Sequence, residues 1–241
     1  MTPELPRLLE AVDATWPAAR SLRAGPWRLR EGAGGGKRVS CTTAEGDWTP
    51  DGLQAAEQAQ ALLGQDPLFM IREGDEALDA ALARRSYEVI DPVTLWLSPL
   101  APLVTEPIPR ITAFAVSEPL AVMREIWEEA GIGAARQRIM ERPKGPRTTI
   151  LGRTADRAAG TAFCAVDGEI AMVHALEIVA PCRGRGLGKW MMRQAAVWAE
   201  TQGAHWMSVL CLTDNAAAMG LYRSLGFSRA GRYHYRRRSE T

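Results

Sequence analysis

The 241-residue sequence has few cysteines, no excess of charge and no long apolar run, and each absence excludes a class of function. The four cysteines, Cys41, Cys164, Cys182 and Cys211, include no pair at C-x-x-C spacing. That argues against a zinc ribbon or a dithiol redox motif and predicts reduced thiols in a reducing compartment. Nothing in the sequence asks for a metal. The 29 basic and 28 acidic residues leave a formal charge of +1, whereas general nucleic-acid binders carry a strong basic excess; nucleic acid is therefore not expected as a partner. No stretch approaches the ~18 apolar residues that span a bilayer, and no basic-then-apolar leader opens the chain. The expectation is a cytoplasmic protein without a membrane partner. What is present is an apolar fraction of 46%, enough for a real core, on a length suited to two domains.

Hydrophobic periodicity and turn residues predict an α/β chain with a mixed sheet. Residues 3–22 read as a helix with Leu5, Leu8, Leu9, Val12 and Trp16 on one face. Residues 27–30 and 37–42 read as strands around a glycine turn at Gly32, Gly34, Gly35 and Gly36. Helices follow at 51–63 and 75–85, and strands at 68–72 and 87–97, the latter broken at Pro92. Residues 99–110 hold four prolines and read as a stiff linker, dividing an N-terminal module (1–98) from a C-terminal domain (111–241). Beyond it, strands are predicted at 111–116, 148–152, 160–166, 170–179, 205–212 and 227–236, with helices at 119–130, 134–142, 187–202 and 215–225. Residues 69–87 and 209–227 share a strand, a polar turn, an alanine-rich helix and a closing aromatic. If that repeat is real, the N-terminal half is a related module without its own ligand loop.

The segment that carries chemistry runs from Met172 to Lys189: an apolar strand, a turn, and a loop with glycines at 184, 186 and 188 opening a helix. Glycines let backbone approach a ligand, and amides at a helix start attract phosphate. A glycine loop alone is equally a tight strand-to-helix turn. Its context is more specific. Arg183-x-x-Gly186-x-Gly188 resembles the pyrophosphate loop of GNAT acetyltransferases, and Asn215-Ala-Ala-Ala-Met-Gly-Leu-Tyr222-Arg-Ser-Leu-Gly226-Phe227 resembles that family's second signature, in the right order and with a strand between them. Gly25-Pro-Trp-Arg-Leu-Arg30 and Tyr233-His-Tyr-Arg236 are similar to segments of two-module bacterial members, although Lys37-Arg-Val-Ser-Cys41 departs from the pattern expected there.

This resemblance implies a GNAT fold in the C-terminal half, a degenerate GNAT-like module before it, and acetyl-CoA as cosubstrate. It further implies N-acetyl transfer by direct attack of an amine in a ternary complex. The amides of Arg183, Gly184, Arg185, Gly186, Leu187, Gly188 and Lys189 would cradle the pyrophosphate, with the backbone of Ile178 and Val179 pairing with pantetheine and Asn215 near its arm. Tyr222 takes the family position of the proton donor to the leaving thiolate; a phenol with pKa near ~10 is protonated at neutral pH. His174 is the candidate base, and a histidine hydrogen-bonded inside the sheet is its structural alternative. Strand alternation puts Met172, His174, Leu176 and Ile178 on one face and the rival base Glu177 on the other. The acceptor, a small amine in preference to a peptide amine, is not written in the sequence, nor is the oligomeric state. A coenzyme A sensor or an assembly module without turnover is the other class of function. Trp16, Trp27 and Trp48 are candidates for an acceptor cleft, and the arginine-rich stretch 229–238 reads as a solvated edge strand.

Overall fold

The computed structural model describes residues 1–239. Its N-terminal half contributes α1 (Leu5–Thr15), β1 (Arg20–Ala24), β2 (Trp27–Glu31), β3 (Thr42–Ala44), α2 (Pro50–Leu62), β4 (Leu68–Arg72), α3 (Glu76–Arg84) and β5 (Tyr87–Pro99). The C-terminal half adds β6 (Ala113–Val116), α4 (Ala121–Glu129), α5 (Ala134–Gln137), β7 (Arg147–Thr154), β8 (Arg157–Asp167), β9 (Ile170–Ile178), α6 (Leu187–Thr201), β10 (Trp206–Leu212), α7 (Ala216–Ser224) and β11 (Ser228–Arg238). All eleven strands form one mixed sheet in the order β1-β2-β3-β4-β11-β5-β10-β9-β8-β7-β6.

The two halves interleave through their last strands. β5, from the N-terminal half, lies between β11 and β10, and β11, from the C-terminal half, lies between β4 and β5. The arginine-rich stretch is therefore a central strand rather than an edge. Two of its polar side chains share one acid: His234 Nε2 and Arg236 Nε both reach Asp79 Oδ1, at 2.8 and 2.7 Å. The segment after β5 packs as well. Leu100 and Leu103 are buried in the core beneath α6, and Glu106 holds Lys189 and Arg193 of that helix, each at 2.9 Å.

Helix α6 covers one face of the C-terminal strands, while α1 and α4 cover the other. Arg30 ties α1 to β2 through a two-bond contact with Asp13, Nε–Oδ1 at 2.9 Å and Nη2–Oδ2 at 2.8 Å. Such a fork is the strong form of a buried ion pair.

Three local expectations change. The first helix stops at Thr15 because Trp16 precedes Pro17, where the helical region is disfavoured, and Arg20–Ala24 instead pairs with β2. Residues Lys37–Val39 form a 3₁₀ turn, closed by the Ser40 hydroxyl donating to the Gly36 carbonyl at 3.0 Å, so only Thr42–Ala44 is extended. Pro92 does not break β5, because a bulge in β5 absorbs it: Asp91, at φ +45°, and Pro92 together stand opposite the single residue His234 of β11. The glycine loop before Lys37 is more than a turn. A Cβ at Gly35 would lie 2.6 Å from the Ile139 side chain, so the loop docks closely on the turn that follows α5.

Candidate active site

The sheet opens at its centre. β9 and β10 run parallel and pair only from Ile170–Trp206 to Val173–Val209. Beyond that point β9 continues to Ile178 beside β8, and β10 continues to Leu212 beside β5. Two parallel strands that part company leave a gap with free peptide groups along its edge. The Val179 N–H donates to Ala159 at 3.0 Å and so faces β8. By the alternation of peptide groups along a strand, Ile178 and Leu176 then face the gap. Of the two residues expected to pair with pantetheine, Ile178 is at the open edge and Val179 is not; Leu176 also faces that edge. The Ile178 carbonyl accepts from Arg183 Nε at 2.8 Å and keeps a second lone pair.

At the mouth of the gap, the chain makes a short 3₁₀ turn at Ala180–Cys182 and enters α6 through the glycine loop. Among the described residues, the amides of Gly184, Arg185, Gly186, Leu187 and Gly188 donate to no protein acceptor, whereas those of Arg183 and Lys189 are used within the turn. Gly186 caps the helix in the left-handed region at φ +82°, with no heavy atom within 4 Å of where its Cβ would stand. Leu187 and Gly188 are buried, and Gly188 packs on Ile178 and Leu221. Arg183 and Arg185 are exposed. Five unused amides converging with two exposed cations match the donors a pyrophosphate requires. These residues fit the pyrophosphate of the nucleotide-linked thioester that the loop's family resemblance implies.

One backbone irregularity decides which side chains reach the gap. The β8–β9 register jumps from Thr161–Glu177 to Phe163–His174, so β9 carries one extra residue. The extra residue is Ala175, at φ +51°, whose carbonyl accepts from Trp127 Nε1 of α4 at 2.8 Å. A bulge reverses the alternation that follows it. Val173, Leu176 and Ile178 therefore pack on the α6 side. Glu177 lies across from Thr161, on the same face as Phe163 and His174. The expectation that His174, Leu176 and Ile178 share a face, with Glu177 opposite, is thus corrected.

His174 is buried between Trp16 and Phe163, with ring centroids 5.0 and 6.3 Å away. Arg38 Nη1 lies 3.2 Å from Nδ1, and Nε2 lies 2.9 Å from the Thr15 hydroxyl, which itself donates to the Ala11 carbonyl at 2.6 Å. Arginine can only donate, so Nδ1 is the acceptor and Nε2–H the donor. Burial first, and the Arg38 charge second, hold the imidazole well below its usual pKa. The ring is neutral and its lone pair is occupied, the hydrogen-bonded arrangement that competes with a base role. A depressed histidine pKa adds stability that is complete above the unfolded value near 6.5 and is lost as pH falls through the folded value. The thermal midpoint should therefore drop as pH is lowered from about 7 to 5. His174→Asn should flatten that slope in a calorimetric pH series; an unchanged slope would move its origin elsewhere.

Glu177 is half-buried, 3.9 Å from the Arg183 guanidinium. Burial raises its carboxyl pKa, against the pull of Arg183 and Arg136. Tyr222 is buried on α7, beside Trp96 and Phe227 at 6.2 and 5.8 Å. Burial, with added repulsion from Cys211 and Glu177, pushes its phenol above the ordinary range. Asn215 is the α7 N-cap, its Oδ1 accepting from the Ala218 amide at 3.0 Å, so that oxygen is committed to the helix. Trp27 is not near this gap; it lies fully buried under α2. Trp16 is near it, beside His174.

The N-terminal half repeats the plan with acids in its cleft. β3 and β4 also pair in parallel, at Thr42–Phe69, ahead of α2 and α3. The cleft there is lined by Glu45, Asp47 and Asp75, and Arg72 bridges Glu45, Asp75 and the Ala44 carbonyl. Carboxylates at this place repel a pyrophosphate.

Residues 111–227 match the sequence model of the Acetyltransferase (GNAT) family. An uncharacterized N-acetyltransferase of Bacillus subtilis (strain 168), YobR, is 28% identical over 244 residues, covering 97% of this chain and 98% of its own. Among solved structures, a GCN5-related N-acetyltransferase from Kribbella flavida superposes with a TM-score of 0.70 at 17% identity, covering 100% of this chain and 98% of that one. A tandem GNAT protein from the clavulanic acid biosynthesis pathway superposes at 0.62 with 13% identity, covering 95% and 87%. These structural likenesses establish a shared fold.

Proposed function

Residues 111–227 belong to the GNAT acetyltransferases, and from that premise we propose that the chain moves an acetyl group from acetyl-CoA to a small amine by direct attack in a ternary complex. The observation that carries this reading is the row of free amides from Gly184 to Gly188 at the mouth of the β9–β10 gap. Those amides hold the pyrophosphate, with Arg183 and Arg185 adding charge, and the gap-facing peptides of Leu176 and Ile178 orient the pantetheine. Acetyl-CoA supplies the acetyl thioester.

Glu177 is the general base. Its carboxylate takes the proton that the amine nitrogen loses as the new N–C bond forms. A raised pKa makes a carboxylate a stronger base, closer to what proton abstraction near neutral pH requires. The bulge at Ala175 turns it to the face that holds Trp16 and His174. Tyr222 is the acid. Its hydroxyl gives its proton to the sulfur when the C–S bond breaks. A phenol whose pKa is pushed up stays protonated at every pH at which the enzyme would work. His174 positions this face through its bond to Arg38.

Tyr222→Phe should lower kcat by about 10²-fold while the KM for acetyl-CoA stays near its original value. A thiol-release assay reads both numbers, and an unchanged kcat would remove Tyr222 from the chemistry.

A further inference from the structure

The face that carries Glu177 also carries two arginines with no acid to answer them. Arg38 stands on the 3₁₀ turn of the N-terminal half, Arg136 on α5 of the C-terminal half. Among the described residues, no carboxylate oxygen lies within 4.0 Å of either guanidinium. Arg30, in the same half as Arg38, meets Asp13 directly at 2.8 Å. Arg38 instead touches His174, at 3.2 Å, and sits over the Trp16 ring, 6.0 Å from its centroid.

The pair is assembled by the docking of the glycine loop. Arg136 Nε lies 3.8 Å from the position a Cβ would take at Gly36, two residues before Arg38. Burial first, and the Arg38 charge second, lower the proton affinity of Arg136, and Glu177 opposes both. Two like charges brought to one face, one exposed and one partly buried, lower their energy when an anion joins them.

Resting on the acetyltransferase reading above, we propose that the acceptor is an anionic small amine, its nitrogen at Glu177 and its anionic group bound between Arg38 and Arg136. An amino-carboxylate and an aminoalkyl phosphonate share this chemistry. The N-terminal half then has a defined part in the reaction, since it brings Arg38 to an acceptor end that the C-terminal half leaves incomplete.

The test uses the full chain with acetyl-CoA in a thiol-release assay. The acceptors are the L-amino acids, their carboxamides, and aminoalkyl phosphonates of matched length. Charged acceptors should exceed their carboxamides by about 10²-fold in kcat/KM, the range of a bidentate charge-assisted contact. Arg136→Gln, at an exposed position, should reduce that preference about tenfold, with the loss falling on the charged acceptors rather than on the carboxamides. Arg38→Lys should keep much of the preference and Arg38→Gln should lose it. The ranking of carboxylates against phosphonates distinguishes the two sources of the anion. Carboxamides turned over as well as the acids would overturn the anion site and leave the acetyltransferase standing. Intact acetyl-CoA binding by calorimetry without acetylation of any acceptor would overturn the transfer reaction, and the anion site with it.

Discussion

Glu177→Gln is expected to lower kcat/KM at neutral pH by about 10³-fold, or ~4 kcal/mol of barrier, with acetyl-CoA affinity kept. The glutamine is isosteric and still hydrogen-bonds, but it cannot take a proton. The pH profile separates this loss from simple misplacement. In the parent enzyme, activity should rise with pH through the upshifted Glu177 titration, because only the carboxylate is a base. The variant should lack that limb and retain the one set by the acceptor's own amine. Stability should move the other way. A carboxyl whose folded pKa is raised favours the folded state below the unfolded value, near ~4.3, and that contribution is lost as pH rises through the folded value. At neutral pH the parent folds with a half-buried charge that the variant does not carry, so Glu177→Gln should be at least as stable to urea. A variant that keeps its full kcat/KM and the acid limb would transfer the base role to solvent.

Much of this site is legible without the fold. The glycine loop, the strand before it, the helix after it and the Asn215–Tyr222 segment are local signals, each encoded within a dozen residues, and they stand where their pattern predicts. The face on which Glu177 lies is not legible, because it depends on Ala175. An alanine carries no mark of positive φ, and the bulge is held by Trp127, 48 residues earlier in the chain. The apolar pattern holds a trace of it: Val173, Leu176 and Ile178 share the α6 side, a spacing of three then two that strict alternation cannot give. The exchange of β5 and β11 between the halves leaves no local signal at all, since strand partners are chosen by long-range contacts. For the same reason a stretch rich in arginine reads as an edge, although Asp79 and Glu57, far away in sequence, compensate its charges at the sheet centre. Likewise Asn215 reads as a helix-face residue, but its place one step before α7 makes it a cap.

Gly186→Asp should raise the Kd for acetyl-CoA at least ~10³-fold, equivalent to ~4 kcal/mol, without loosening the fold. The separation of these two effects follows from the geometry. The residue sits at φ +82° with open space where a side chain would begin, and aspartate is among the few residues that tolerate this region. It is also a favourable charge at a helix start, so α6 should lose little and urea midpoints should stay close. What the carboxylate does is fill the anion seat from within, satisfying the amides that would otherwise meet the pyrophosphate and repelling its phosphates. Gly186→Ala is the control: it carries the same backbone strain without the charge and should bind within about tenfold of the parent, since strain of this kind is of order ~1–2 kcal/mol. If calorimetry finds Gly186→Asp binding acetyl-CoA normally, the amides from Gly184 to Gly188 do not hold the phosphates. If both variants lose binding together, backbone shape rather than charge governs the loop. Only the divergence of the two identifies the helix entrance as an electrostatic seat.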